Sequence, residues 1–143
     1  MPAGSEAAPW GGLLPFGAPL LLVDSITEAP RHPPGCVVVS GSHGGASVVV
    51  YAQAARARLA VFNDAGVGKD AAGIAALPAL QALGVPACAV SHDSARIGEA
   101  GSTWADGVVS QVNEAARALG ARPGLRLRDW LSAASAESSP GRR

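Results

Sequence analysis

Two cysteines, one lysine, three Trp, one Tyr and two Phe are all that 143 residues hold of these types, and neither sign of charge is in excess. Each scarcity excludes something. Cys36 and Cys88 both sit in apolar runs, where a free cysteine behaves as a small buried hydrophobe, so no disulfide framework and no oxidising compartment are implied. Eleven basic side chains cancel eleven acidic ones, which removes the long-range attraction that nucleic acid or anionic lipid needs. The expected partner is therefore a small-molecule ligand. The apolar run LLPFGAPLLLV is short and broken by Gly and Pro, and MPAGSEAAPW before it carries an acid and no basic residue. Neither a signal peptide nor a membrane span fits, and a soluble cytoplasmic protein is expected. Arg in place of Lys, beside abundant Ala and Gly, reads as the coding of a GC-rich bacterial genome.

What is present is a hydrophobic fraction of 48%, mostly Ala, Val and Leu, enough for one compact core. Residues 1–19, rich in Gly and Pro and anchored only by Trp10 and Phe16, are expected to form an irregular arm. A single domain over 20–136 follows, then a disordered tail over 137–143. LLLVDSIT (20–27), CVVVS (36–40), RLAVFN (58–63) and VPACAV (85–90) have the length and β-branched content of strands. Helices are expected over 46–57 and about 71–83, the latter kinked or broken near Leu77 by Pro78. A long helix from about Thr103 to Leu119 follows, with Val108, Val109, Val112, Ala115, Ala116 and Leu119 on one stripe and Gly120 as its cap. RLRDWLSAA closes the domain. Strands alternating with helices imply right-handed βαβ units. The fold class is α/β: a three-layer domain with a mostly parallel sheet of three to four strands, Rossmann-like or flavodoxin-like.

In such a sheet every turn from strand to helix emerges at the carboxyl edge, where open α/β folds bind ligands. Turn one supplies Ser40, Ser42 and His43, turn two Asn63, Asp64, Lys69 and Asp70, and turn three Ser91, His92, Asp93, Ser94 and Arg96. Two of the three histidines and the only lysine fall there, whereas the opposite turns read ARARL and ALGVP. Ser, Asn and Asp in turns also serve plainly structural ends as helix caps. Gly41, Gly44 and Gly45, with Gly66 and Gly68, suit positive φ and close approach of a ligand to main-chain N–H groups. Gly98 and Gly101 give turn three the freedom of a lid.

SGSHGGA, between an apolar strand and a helix, resembles the nucleophile elbow of the α/β hydrolases, G-x-S-x-G, with Ser42 at the serine position and Gly44 at the last glycine. The resemblance covers about ten residues, and Ser40 stands where the family has its first glycine. It implies Ser42 as a nucleophile, which needs a histidine to take its proton and an acid to orient that histidine. His92 with Asp64 or Asp93 suits these roles. His43, adjacent to Ser42, suits an oxyanion donor or ligand clamp. GVGKDA also fits the permissive dinucleotide fingerprint, but Asp64 and Asp70 beside it would repel a pyrophosphate, and it is no Walker A loop. His43, Asp64, His92 and Asp93 are metal-ligand types without a ligand spacing. His43 and Cys88 have a caspase-like separation, yet Cys88 falls inside a strand.

The expectation is an enzyme, a hydrolase of an ester, amide or other C–N bond in a small polar or anionic molecule. Ser42, His92 and Asp64 are its catalytic residues, and His43, Gly44, Gly45, Asn63, Lys69, Asp70, Asp93, Ser94 and Arg96 bind the ligand. Arg96 offers a bidentate fork to a carboxylate or phosphate. No cofactor and no metal enter this reading. The rival class is a non-catalytic binding or accessory domain acting within a homo-oligomer, the apolar arm around LLPF and Trp10 being its contact.

Overall fold

The computed structural model describes residues 18–137, so most of the expected arm, with Trp10 and LLPF, and the tail from 138 lie outside the described residues. The strands are β1 (Leu20–Val23), β2 (Val37–His43), β3 (Leu59–Asn63), β4 (Ala87–Val90) and β5 (Val109–Val112). They form one sheet in the order β1-β2-β3-β4-β5. The first four are parallel and β5 is antiparallel to β4. The sheet thus has five strands instead of three to four. Its sequential order also lacks the reversal that defines the Rossmann and flavodoxin orders.

That order follows from handedness. Right-handed crossovers that each step to the next strand on the same side must all lie on one face. The crossovers carry the 3-10 segment Ile26–Arg31, then α1 (Val49–Ala54) and α2 (Ala76–Ala82). Their residues Ile26, Ala52, Leu77 and Leu80 bury Val38, Ala60, Phe62 and Ala89 of the sheet. Among the described residues the helices on the other face all come after β4: α3 (Ala100–Asp106), α4 (Glu114–Ala118) and α5 (Leu127–Glu137). Trp104, Ala116, Leu127 and Leu131 there pack on Val37, Val39, Val61, Cys88 and Val90. Successive valines of β2 therefore point to opposite cores, as an uninterrupted β-branched run buried on both sides requires.

Two helix boundaries differ from expectation. The stretch read as one helix from Thr103 to Leu119 is α3, β5 and α4. Gly107 is the reason: a Cβ there would collide with the Thr103 carbonyl and lie 2.8 Å from Val90 Cγ1, so the chain leaves the helix and runs against β4. The valines that imitated a helical stripe are β-branched and suit a strand as well. Pro78 causes no kink, because it falls in the first turn of α2, where its missing N–H has no helical partner to lose. Gly120 does cap α4: with φ +106, it sends its N–H to Arg117 O (2.9 Å), and Ala121 N–H reaches Ala116 O (3.1 Å), the paired bonds of a Schellman end.

Candidate functional site

The chain leaves β3 toward the α2 face and leaves β4 toward the α3 face, so these two neighbouring connections part and a crevice opens between their ends. Residues 91–99 cross the carboxyl edge on their way to α3. They are fastened at three points. Asn63 Nδ2 donates to Ala95 O (3.1 Å), Gly98 N–H to Gly41 O (2.6 Å), and Ala100 N–H to the Asp24 carboxylate at the end of β1 (2.9 Å). The crevice is a hollow of about 550 Å³ lined by Asn63, Ala65, residues 92–97, Ser102 and Asp106, within the size range of small-ligand sites.

Asp64 does not line this hollow but is buried next to the lining residue His92, and is 5% exposed. One carboxylate oxygen accepts from the N–H groups of Gly66 (2.8 Å) and His92 (3.0 Å). The other accepts from the Ser110 hydroxyl of β5 (2.7 Å). His92 Nδ1 lies 3.5 Å from Asp64 Oδ1, and Nε2 lies 3.2 Å from Asp93 Oδ1. The His92 side chain is half exposed, Asp64 is buried, and Asp93 is 86% exposed. The nearer carboxylate is thus the exposed one, and a surface pair is worth little, whereas the farther carboxylate, Asp64, is buried. At 3.5 Å the approach of Nδ1 to Asp64 is an ion-pair distance, longer than an ordinary N–H···O hydrogen bond.

Burial pushes the Asp64 carboxyl up, but the hydrogen bonds from Ser110, Gly66 and His92, with the charge of the His92 ring, outweigh it and hold the group below its ordinary value of 3.8. A depressed folded-state value means that the unfolded chain binds the proton more readily. This contribution to stability is therefore complete above about pH 5 and is lost as the pH falls below 3.8 through the folded value. Urea midpoints measured between pH 6 and pH 3 are expected to fall over that range, and to fall less in Asp64→Asn.

The turns do not all converge as expected. Asn63, Asp64, His92, Asp93, Ser94 and Arg96 meet in or beneath the crevice. Among the described residues Arg96 makes no ion pair, while its N–H donates to Ser102 Oγ (2.9 Å). Ser94 is half committed to structure, its hydroxyl accepting from Val108 N–H and donating to Ser91 O. Ser40 is buried, donating to Val61 O (2.8 Å) where the register of β2 against β3 slips. Ser42 is not brought to His92. Its hydroxyl accepts from Ile26 N–H (2.9 Å) at the start of Ile26–Arg31, and both ring nitrogens of His92 face carboxylates. Lys69 and Asp70 are exposed beside the site and are not among the residues lining it.

His43 lines a separate hollow of about 370 Å³ with Gly45, Ala65, Val67, Gly68, Ala72, Gly73 and Ile97. Its Nδ1 accepts from Gly45 N–H (2.9 Å). Gly44 packs beneath, its N–H donating to Asn63 O and Gly73 O. No group of three His, Cys, Asp or Glu side chains among the described residues is placed to hold a metal. Cys88 is fully buried in β4, its thiol pushed up to about 12 by desolvation, which leaves no thiolate for His43 to pair with.

The loop after β3 is strained. Ala65 (φ 52), Val67 (φ 65), Asp70 (φ 57) and Ala71 (φ 57) all occupy the left-handed region, at about 1–3 kcal/mol each. Gly66 and Gly68, with φ 77 and 75, adopt it freely. A Cβ on Gly66 would make only an ordinary contact with the His92 ring, 3.6 Å from Cε1, so it is conformation and not space that calls for glycine there.

Ser110 and Asp106 were missed in the sequence because they lay inside the supposed helix from Thr103, and Ser102 because it lay just before it; VVSQV does not alternate, so its pattern did not mark Ser110 as a strand residue. Comparison with protein families, curated proteins and solved structures found no match to the chain. No helix among the described residues is long and apolar enough to cross a membrane.

Proposed function

We propose that this chain is an enzyme hydrolysing an ester, amide or other C–N bond of a small polar or anionic molecule, with His92 as general base acting on water. The carrying observation is the buried Asp64 carboxylate, held by three hydrogen bonds and set beside the half-exposed imidazole of His92, which lines a ligand-sized hollow. In this scheme the ring keeps its Nδ1–H toward Asp64, and Nε2, which faces the exposed Asp93 carboxylate 3.2 Å away, is the base. Nε2 takes a proton from water as the water oxygen adds to the carbonyl carbon. The imidazolium, stabilised by Asp64, then returns that proton to the leaving oxygen or nitrogen as the bond breaks. The exposed Asp93 carboxylate swings aside for the water, and the unpaired Arg96 guanidinium receives an anionic group of the substrate. Water replaces Ser42 as the nucleophile in this scheme.

The test is turnover of a panel of p-nitrophenyl esters and small amides by the purified protein. His92→Ala is expected to lose about 10²–10⁴-fold. Ser42→Ala is expected to keep turnover within about twofold while losing about 1 kcal/mol of stability through the unpaired Ile26 N–H. Equal rates for His92→Ala and the wild type contradict the assignment. The same hollow also suits a non-catalytic binding domain, for which a ligand raises thermal stability by mass action without turnover.

A further inference from the structure

The two hollows at the carboxyl edge share a wall. Ala65 and Ile97 line both, and Ile97 is 53% exposed between them. The second hollow differs in chemistry. His43 is its only side chain with a polar group, and Nδ1 of that ring is already taken by Gly45 N–H; the remaining lining is Gly, Ala, Val and Ile. Among the described residues no carboxylate, hydroxyl or cationic group lines it, whereas the first hollow has His92, Asp93, Arg96 and Asp106. A large aliphatic side chain left exposed at the junction of a polar and an apolar hollow is suited to the midsection of one bound molecule.

We propose that the hollow around His43, Gly45, Val67 and Ala72 is the second half of the substrate site, and that it takes an apolar alkyl or aryl group of the molecule whose hydrolysed bond lies at His92. The substrate class is accordingly an ester or amide with an apolar arm, its polar end on the Arg96 side and its arm crossing Ala65 and Ile97. The inference rests on the function proposed above for the first hollow, but its test does not need turnover.

Methyl ketones carry the carbonyl of an ester or amide and no leaving group, so their binding is read without reaction. For a hollow open on one side, each methylene is expected to tighten binding by a little under twofold, and so about tenfold over the four methylenes from acetone to 2-heptanone. Titrating ¹⁵N-labelled protein should show 2-heptanone, and not acetone, shifting the amide signals of Gly45, Gly68 and Gly73. Ala72 is exposed, and Ala72→Trp, which fills the hollow, should bring the ratio of the two affinities to about one; Ala72→Leu serves if the Trp variant does not fold. A flat chain-length series overturns the inference, as does a tenfold ratio that survives in the folded variant, or shifts confined to other surfaces. Length dependence without any turnover of esters would instead refute the hydrolytic reading and leave the apolar subsite standing.

Discussion

Asp64→Asn is expected to lower turnover of whichever ester or amide is hydrolysed by about 10²–10⁴-fold, at a stability cost of only about 1 kcal/mol at neutral pH. The asymmetry follows from the hydrogen bonds. The asparagine oxygen still accepts from Gly66 N–H and His92 N–H. Its amide group displaces the Ser110 hydroxyl proton, which turns to Ala89 O, 3.4 Å away. The imidazole alone loses its anion, and with it the bias that keeps Nε2 free of a proton. Asp64→Ala behaves differently. Three donors lose their acceptor in a buried site, and about 3 kcal/mol of stability goes with them. Steady-state kinetics beside urea denaturation of both variants separates the two effects. A turnover loss that merely tracks the loss of stability would make Asp64 a scaffold residue and nothing more.

Gly41→Ala is expected to remove about 2–3 kcal/mol and to release residues 96–99 from the sheet. A Cβ at Gly41 would run into the backbone of Gly98 and Glu99, and backbone yields less readily than a side-chain tip. Gly41 has no positive φ, so the demand is for space and not for conformation. Because the displaced segment follows Arg96 and contains Ile97, substrate binding should weaken together with stability. Trypsin cleavage after Arg96, which is exposed, reports the release directly. Wild-type stability and wild-type resistance at that bond would show that the segment is held without Gly41.

Much of the architecture was legible because it depends on periodicity alone. CVVVS, RLAVFN and VPACAV became strands within a residue or two of their expected bounds at one end, and the opposed faces of Val37, Val38 and Val39 confirm the double burial that their run implied. The meeting of turns two and three was legible for the same reason: parallel neighbours end on one edge. The rest turned on facts a sequence does not display. The spacing of Val108, Val109 and Val112 favours a helical stripe although their β-branched side chains suit a strand, and only the contact of Gly107 with Val90 decides for the strand. With β5 hidden, Ser110 stayed hidden too. Ser42 was misdirected for a related reason. β2 runs on to His43 beside Asn63, so Ser42 lies inside a strand, facing the Ile26 turn, and not on a sharp turn at the sheet's edge.

The strained loop after β3 connects these observations. Val67 is β-branched and has positive φ, a costly choice with no evident benefit to the core, since Val67 lies against the second hollow. Strain of that kind is retained where the loop's shape serves a site, and here the loop forms the wall between the two hollows.

The tautomer of His92 tests the central claim most directly. Long-range ¹H–¹⁵N correlation on the neutral ring distinguishes a proton on Nδ1 from one on Nε2. If the buried Asp64 governs the ring, the proton is on Nδ1 and Nε2 is the free base. A proton on Nε2, directed at the exposed Asp93, would mean that Asp64 does not hold the imidazole and that His92 has no base to offer.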